Sequence, residues 1–443
     1  MLLADTGTRT ATRVLAIYSL GGRLLVPADP VRSLTEVFDL GRFAHHIEAT
    51  ASLLPRVTAT AGIEPGQFRL AAERFGVRVA RITAALATTP RRDGLLFLDM
   101  ELAGQPTAAE VAGFLYATWR RRSELRVGDT ALLDWLADRL GLVRTGGNPL
   151  TFGQNLHQCV FAGGRLARGL LRRNRKAGTS SPDVISVVFR GTMSVKRGTD
   201  LGIRRPVALN NPGETMVAHG RGVSLIAGWT EPVENAFGVA AAGLVNAAAV
   251  VTRVRLQSFE ALRVNEASAA TSVPEIRALI ADLSDRLDQL RLDLSFGIEA
   301  YADVVLIPEL LVESYHSSLR HAAALAESMA NTSRIVDRVA AVIDSRHALL
   351  SESVLAYTER RDKIFAGAIA IGSLLALPPT LLLAYFGTNS TNVNQHLSIF
   401  DVRHYGIAYL VAWLPFLALV GGAAVMRRRI QPRAPEWRGT DDS

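Results

Sequence analysis

The chain has 443 residues and a net charge of +8 that comes almost wholly from arginine, since only Lys176, Lys196 and Lys363 are lysine. This length allows two or three domains, and the charged fraction of 20% with a hydrophobic fraction of 49% is that of a folded protein with some membrane content. The Arg- and Ala-rich usage points to genomic base composition rather than to nucleic-acid binding, and the single cysteine, Cys159, excludes an intrachain disulfide and fits a reducing compartment.

The start of the chain has no basic n-region and no continuous apolar core, so no signal peptide is expected. Residues 1–229 read as an α/β domain. Segments 14–20 and 23–26 flank Gly21-Gly22, a hairpin signal. Segment 95–102 alternates, with Leu96, Leu98, Met100 and Leu102 on one face and Asp99 and Glu101 on the other, as a half-buried strand does. A helix follows, opened by the capping box Thr107-x-x-Glu110. The basic stretch 165–176 carries Arg172, Arg173, Arg175 and Lys176; without interleaved aromatics it reads as a solvated helix end or loop rather than a lipid or nucleic-acid contact. Segment 184–189, after Ser181-Pro182, is a strand candidate, and 192–214 is rich in Gly, Pro, Asn and Arg and reads as loop.

Residues 230–332 form a helical region. Segment 231–266 is Ala/Val-rich, and its apolar part, 237–251, is too short for a span and contains Asn246, so a buried soluble helix is expected. Ile276, Ile280, Leu283, Leu287, Leu290 and Leu294 recur at alternating steps of four and three, a coiled-coil seam with Asp282, Asp285, Arg286 and Asp288 outside it. These acids are candidates for metal sites between subunits or for a solvated face, and solvation is the simpler reading. A further helix is expected from about Pro308.

Near Ser333 a new stripe begins: Val336, Ala340, Ile343, His347, Leu350, Val354 and Tyr357, with no proline or glycine before Ile364. A helix from Ser333 to Leu377 would be roughly 65 Å long. His347 on this stripe is open to two readings, a metal ligand or pH sensor and a packed or partly exposed core histidine. No second ligand sits at helical spacing, which favours the latter.

Two apolar runs close the chain, 364–386 and 405–426, each of about 22 residues and free of Asp, Glu, Lys, Arg and His. Each is long enough for a ~30 Å hydrocarbon layer. Arg360, Arg361 and Lys363 precede the first, and Arg427, Arg428 and Arg429 open the tail 427–443. The loop 387–404 has only Asp401 and Arg403 as fixed charges. Positive flanks stay inside, so both termini and the bulk of the chain are expected in the cytoplasm, with the protein multi-pass in the plasma membrane. The stalk and first span together form segment 333–386. Pro378-Pro379 frees the carbonyls of Leu374 and Leu375 within the first span, and Ala366, Ala370, Ser373, Leu377, Thr380, Ala384 and Gly387 fall on one narrow face. Such a face permits close helix approach, or lines a pore if several copies surround an axis.

The stretch Leu377-Pro-Pro-Thr380 through Tyr385-Phe386-Gly387-Thr388-Asn389 resembles the CorA-type metal-ion transporter family. The first membrane helix of that family typically carries Pro-x-Thr, six residues, then Gly-Met-Asn preceded by an aromatic. Pro378, Thr380, Phe386, Gly387 and Asn389 match that register without a gap, and the preceding helix, short loop, second span and basic ending agree with it. The resemblance covers about 333–430; the α/β-then-helical order before it is compatible with the family's cytosolic domain.

It implies a CorA-like fold: a cytosolic α/β domain, long coiled-coil-like helices and a two-helix transmembrane hairpin. It also implies a homopentameric, gated channel for a divalent cation such as Mg²⁺, in contact with membrane lipid and with no nucleic-acid partner. Gly387, Thr388 and Asn389 would form the selectivity motif, and Ser373, Leu377 and Thr380 would line the pore. The divalent ion is cargo and possible regulator, and no cofactor is expected. Thr388 stands where the family usually has methionine, the loop after Asn389 lacks the common acidic residues, and Lys363 at the inner mouth would repel cations. An alternative is therefore a membrane-anchored cytosolic sensor or interaction protein that uses the hairpin to oligomerise. No Gly-x-Ser-x-Gly, Gly-x-x-x-x-Gly-Lys or His-Glu-x-x-His is present, so no enzyme activity is expected. His45-His46-Ile-Glu48 reads as a surface patch more readily than as a metal site.

Overall fold

In the computed structural model, which describes residues 9–25, 32–49, 54–70, 76–140, 143–144, 149–173, 181–193, 202–267, 273–295, 307–388, 397–398 and 401–429, the chain divides into two units, Met1–Arg346 and His347–Ser443. The first unit is built on a mixed sheet of β1 (Arg13–Leu25), β2 (Arg56–Ile63), β4 (Val79–Thr88), β5 (Asp93–Leu102), β9 (Phe152–Ala162), β10 (Met216–His219) and β11 (Val223–Ala227). Their order is β10-β11-β9-β1-β5-β4-β2, with β8 (Val143–Arg144) also paired to β1, and among these described strands only β9 and β11 run parallel. A small second sheet joins β3 (Phe68–Leu70), β6 (Leu125–Val127) and β7 (Thr130–Ala131).

Gly21-Gly22 does not reverse the chain. β1 passes straight through it, pairing with β5 and β9 and absorbing the glycines as register shifts between Ser19 and Arg23 and between Tyr18 and Leu20. Gly22 has φ 86°, and a Cβ on Gly21 would lie 2.5 Å from Thr151 Oγ1, so the pair serves a bulge and a close approach. Two flanking strands hold β1 extended, which a local turn signal cannot foresee.

The central strands are covered on both faces. Val14, Ala16, Tyr18, Leu96, Leu98 and Met100 share a core with α3 (Ala108–Arg120), α5 (Gly164–Arg173) and α6 (Pro182–Val188). The opposite face meets α7 (Glu231–Ala267), whose Gly238 approaches Leu15. β5 is therefore not the half-solvated strand expected: Leu95 and Phe97 are buried beside Leu96 and Leu98. Asp99 on that face is taken by Arg13, at 2.6 and 3.0 Å. The Thr107–Glu110 capping box forms as expected, with Thr107 N donating to Glu110 Oε2 at 2.7 Å and Glu110 N donating to Thr107 Oγ1 at 3.3 Å. Segment 184–189 is helix rather than strand: Ser181 Oγ caps α6 and Pro182 occupies its first turn. Val184, Ile185, Val187 and Val188 bury one helical face there, so cap chemistry overrides β-branched composition.

Among the described residues this unit also has α1 (Leu34–Val37), α2 (Ala44–Ala49), α4 (Leu132–Leu140), α8 (Val273–Leu294) and α9 (Leu310–Ala322). α8 packs on α7 with Ile280, Leu283, Leu287 and Leu290 inward, as the seam predicts, and Asp282, Asp285, Arg286 and Asp288 outward. Pro308 precedes the N-cap of α9, Glu309. The long helix α10 (Leu325–Thr388) begins eight residues before Ser333 and is uninterrupted, with Pro378 and Pro379 inside it. Thr332, just before that expected start, donates to Ser328 O at 2.8 Å and receives Arg255 Nη2 at 3.1 Å. α11 (Val402–Arg429) holds the second apolar run.

Candidate functional site

Among the described residues two helices are long and apolar enough to cross a membrane, Glu231–Asn265 and Leu325–Ala384. The first is the core helix α7, with 72% of its most apolar window buried; the corresponding window of α10 is 6% buried. Ser373, Leu377 and Thr380 lie together on the exposed face of α10 with Ala366, Ala370, Ala384 and Gly387. Pro378 and Leu382 are buried, on a different face. Gly387 is exposed, Thr388 ends the helix, and Asn389 lies outside the described residues.

Thr380 Oγ1 donates back to the carbonyls of Ala376 and Leu377, both at 2.8 Å. The carbonyls that lose helical donors to Pro378 and Pro379 are those of Leu374 and Leu375, which the Thr380 hydroxyl does not serve. In a lipid setting such acceptors need water or another partner, so this stretch offers oxygen atoms along an otherwise apolar helix.

The first unit holds several buried polar networks that sequence reading missed. Asp293, beside the α8 seam and 1% exposed, accepts from Arg23 at 2.7 Å, Arg91 at 2.7 Å and Arg253 at 3.1 Å. Arg253 also pairs with Asp93. The burial of Asp293 shows only after β1, β5 and α7 are brought to one place. At the start of α7, Glu234 is 2% exposed and its carboxyl is pushed up to about 7, by burial first, against the nearby Arg9 and Arg13.

Between β9, β11 and α9 runs a sealed chain. His157 Nε2 lies 2.8 Å from Ser224 Oγ, Tyr315 OH donates to the same oxygen at 2.7 Å, and Cys159 Sγ is 3.8 Å from Tyr315 OH. Burial pushes His157 down to about 3 and Cys159 up to about 12. A neutral histidine beside a serine resembles a base and nucleophile. Here Ser224, Cys159 and Tyr315 have no exposed surface, and the group is interior hydrogen bonding.

The other residues singled out by sequence are dispersed. The rings of His45 and His46 on α2 have centroids 3.6 Å apart and are tilted by 43°, with His45 Nδ1 2.7 Å from Arg42 O. His347 is exposed on α10. In α5, Leu166, Ala167, Leu170 and Leu171 are buried and Arg173 pairs with Asp183; residues 174–176 lie outside the described residues. Among the described residues no group of three or more His, Cys, Asp or Glu is placed to hold a metal ion. Compared with known proteins, the chain matches no family model, no curated protein and no solved structure.

Proposed function

We propose that the chain is a gated divalent-cation channel or transporter of the CorA type, Mg²⁺-like in its cargo, working as a homopentamer with the apolar part of α10 around the pore. The observation that carries this reading is one uninterrupted helix, α10, that holds Pro378-x-Thr380 and ends at Gly387-Thr388. Its apolar window is left uncovered by the chain's own atoms. The register of Pro378, Thr380, Gly387 and Asn389 supports the family; the second apolar helix and the basic flanks support a hairpin with both termini cytoplasmic.

In this reading Ser373, Leu377 and Thr380 face the conduit, and the carbonyls of Leu374 and Leu375 add acceptor oxygens near it. Mg²⁺ gives up its water reluctantly. A ring of Asn389 amides at the outer mouth would hold the hydrated ion through that water. One two-span chain cannot enclose a conduit, hence the requirement for a symmetric ring.

The test is metal uptake into proteoliposomes for the wild type and Asn389→Ala, with subunit number measured by mass in detergent. Uptake by the wild type that Asn389→Ala abolishes, from a five-copy assembly, is the expected result. No uptake by either protein favours the second reading, a membrane-anchored sensor or interaction protein, to which Thr388 and the loop without acidic clusters already lean.

A further inference from the structure

The first unit contains an open pocket of about 410 Å³ bounded by β9, α7 and the turn between α9 and α10. Leu244, Val245 and Ala248 of α7 form an apolar wall. Among the described residues the charged groups in the lining are Arg190, Arg221 and Arg255, with no carboxylate beside them. Two other guanidiniums of this unit are matched by acids, Arg13 by Asp99 and Arg253 by Asp93 and Asp293. Among the described residues no acid pairs with any of the three pocket arginines.

Arg190 is held in position rather than tethered at random. Its Nε donates to Gln158 Oε1 at 2.7 Å, its Nη2 donates to Gly222 O at 2.8 Å, and its guanidinium lies over the Trp119 ring at 4.6 Å. Its backbone is in the left-handed region at φ 54°, an uncommon position for a side-chain-bearing residue. Gly222 leaves the room this requires, because a Cβ there would lie 2.9 Å from Nη2. Burial without an acid drags Arg190 down to about 10. Arg255 is fixed by Nη2, which donates to Ser328 O and Oγ and to Thr332 Oγ1, while its Nε is buried with no hydrogen-bond partner. Arg221 is exposed at the rim.

A cavity that concentrates positive charge, orients the donors in advance and leaves them short of acceptors suits an anion with many oxygens. A phosphate can accept from several guanidiniums at once, whereas a carboxylate has two oxygens. The volume and the apolar wall require something larger than inorganic phosphate. We propose that this pocket binds a soluble organic phosphate of at least two negative charges, with phosphate oxygens toward Arg190, Arg221 and Arg255 and its ring or apolar portion along Leu244, Val245 and Ala248. Ser328 lies near the start of α10, so an occupant would reinforce the grip that Arg255 of α7 has on that helix. The site stands apart from the transport reading and does not depend on it.

The test is calorimetric titration of the full-length protein in detergent with ATP and with pyrophosphate, using sulfate at equal ionic strength as control. Saturable binding of ATP at one site per chain is expected, stronger than that of sulfate and weakened by added salt. Arg221→Glu should weaken it about tenfold or more at unchanged melting temperature, since this exposed side chain makes no bond among the described residues. Arg190→Lys should weaken it as well, and if that variant does not fold, Arg221→Glu alone decides. Absence of saturable binding, or ATP binding indifferent to Arg221→Glu, overturns the proposal. Displacement of ATP by phosphatidylglycerol vesicles overturns the assignment to a soluble ligand, and retention of ATP in their presence supports it.

Discussion

The helices α7 and α10 have nearly the same mean hydropathy over their most apolar windows, 1.6 and 1.9, yet 72% of the first is buried and 6% of the second. Apolar content alone therefore does not tell a core helix from a candidate span. What separates them is what the rest of the chain supplies. A sheet lies against α7, with Phe237 in contact with Tyr315 and Trp229. Among the described residues no such layer covers Ile364, Phe365, Ile369 or Leu383, each more than 60% exposed. Exposed apolar surface on this scale is what lipid or further copies of a chain would cover.

The sharpest way to break the contrast is to put the same charge into both helices. Ala241, on α7, is fully buried. Ala241→Arg should cost about 5 kcal/mol or more through an unpaired buried charge and overpacking, and leave the first unit unfolded. The measurement is hydrogen-exchange protection of α7 and the central strands in the full-length protein. Retained protection would show that α7 is not held as described. Leu375, midway along the apolar part of α10, is 46% exposed. Leu375→Arg should leave that protection intact. An effect there as large as at Ala241 would erase the distinction.

Next in size is Asp293→Ala, which removes the carboxylate shared by Arg23, Arg91 and Arg253. Losing one member of a buried ionic network costs about 3–5 kcal/mol, read as a lowered denaturation midpoint of the first unit. Asp282→Ala, on the outer face of the same helix, should move it by less than about 0.5 kcal/mol. Equal effects would mean that α8 is not anchored through Asp293.

This pair also shows how far the sequence could be read. The heptad step of α8 correctly separates Leu283 and Leu287 from Asp282 and Asp285 because it is local. Asp293 stands one step from Leu294, and nothing along the helix marks it as the inward residue. Its burial depends on arginines some 270, 202 and 40 residues away. The Thr107 cap was legible for the same local reason, whereas Gly21-Gly22 misled because β5 and β9, both distant in sequence, keep β1 straight. Along the apolar part of α10, the spacing of Ser373, Leu377 and Thr380 on one face was readable from helix periodicity. The arginine pocket was not, since Arg190, Arg221 and Arg255 come from three separate segments with no shared motif.

The transfer of Leu375→Arg into lipid gives a third effect. If 364–386 is a span, the insertion free energy of that segment should rise by about 2.5–3.5 kcal/mol, measured with glycosylation-site reporters on either side. No change would count against the membrane reading. Acid probes the first unit by another route. His157, His219 and His316 are held down to about 3, 4 and 4, chiefly by burial. The folded form thus refuses protons that the unfolded chain accepts below about 6.5, and stability falls as pH drops. The loss is about 1.4 kcal/mol per pH unit for each histidine. Glu234, raised to about 7, works in the opposite direction between its unfolded value and 7, gaining stability as pH drops. Glu234→Gln should therefore steepen the acid loss between about pH 7 and 4.5; a slope unchanged from wild type would show that this carboxyl is not held protonated.

The smallest expected effect compares two threonines with the same local bond. Thr118 donates to the carbonyls of Phe114 and Leu115 and accepts from Gln158 Nε2 at 2.8 Å, fully buried. Thr380 makes the same backward bonds on an exposed face. Thr118→Val should cost about 1–3 kcal/mol, because it strands a buried amide donor, and thermal melting of the full chain reads it. Thr380→Val removes only a bond within its own helix and should cost less than about 1 kcal/mol in detergent. Its use lies in the second readout. If Thr380 faces a conduit, metal uptake should fall in Thr380→Val at unchanged stability, because the replacement keeps the shape and removes the oxygen. Uptake equal to wild type would turn this face of α10 toward lipid or a neighbouring helix and leave the first unit as the part of the molecule that carries its function.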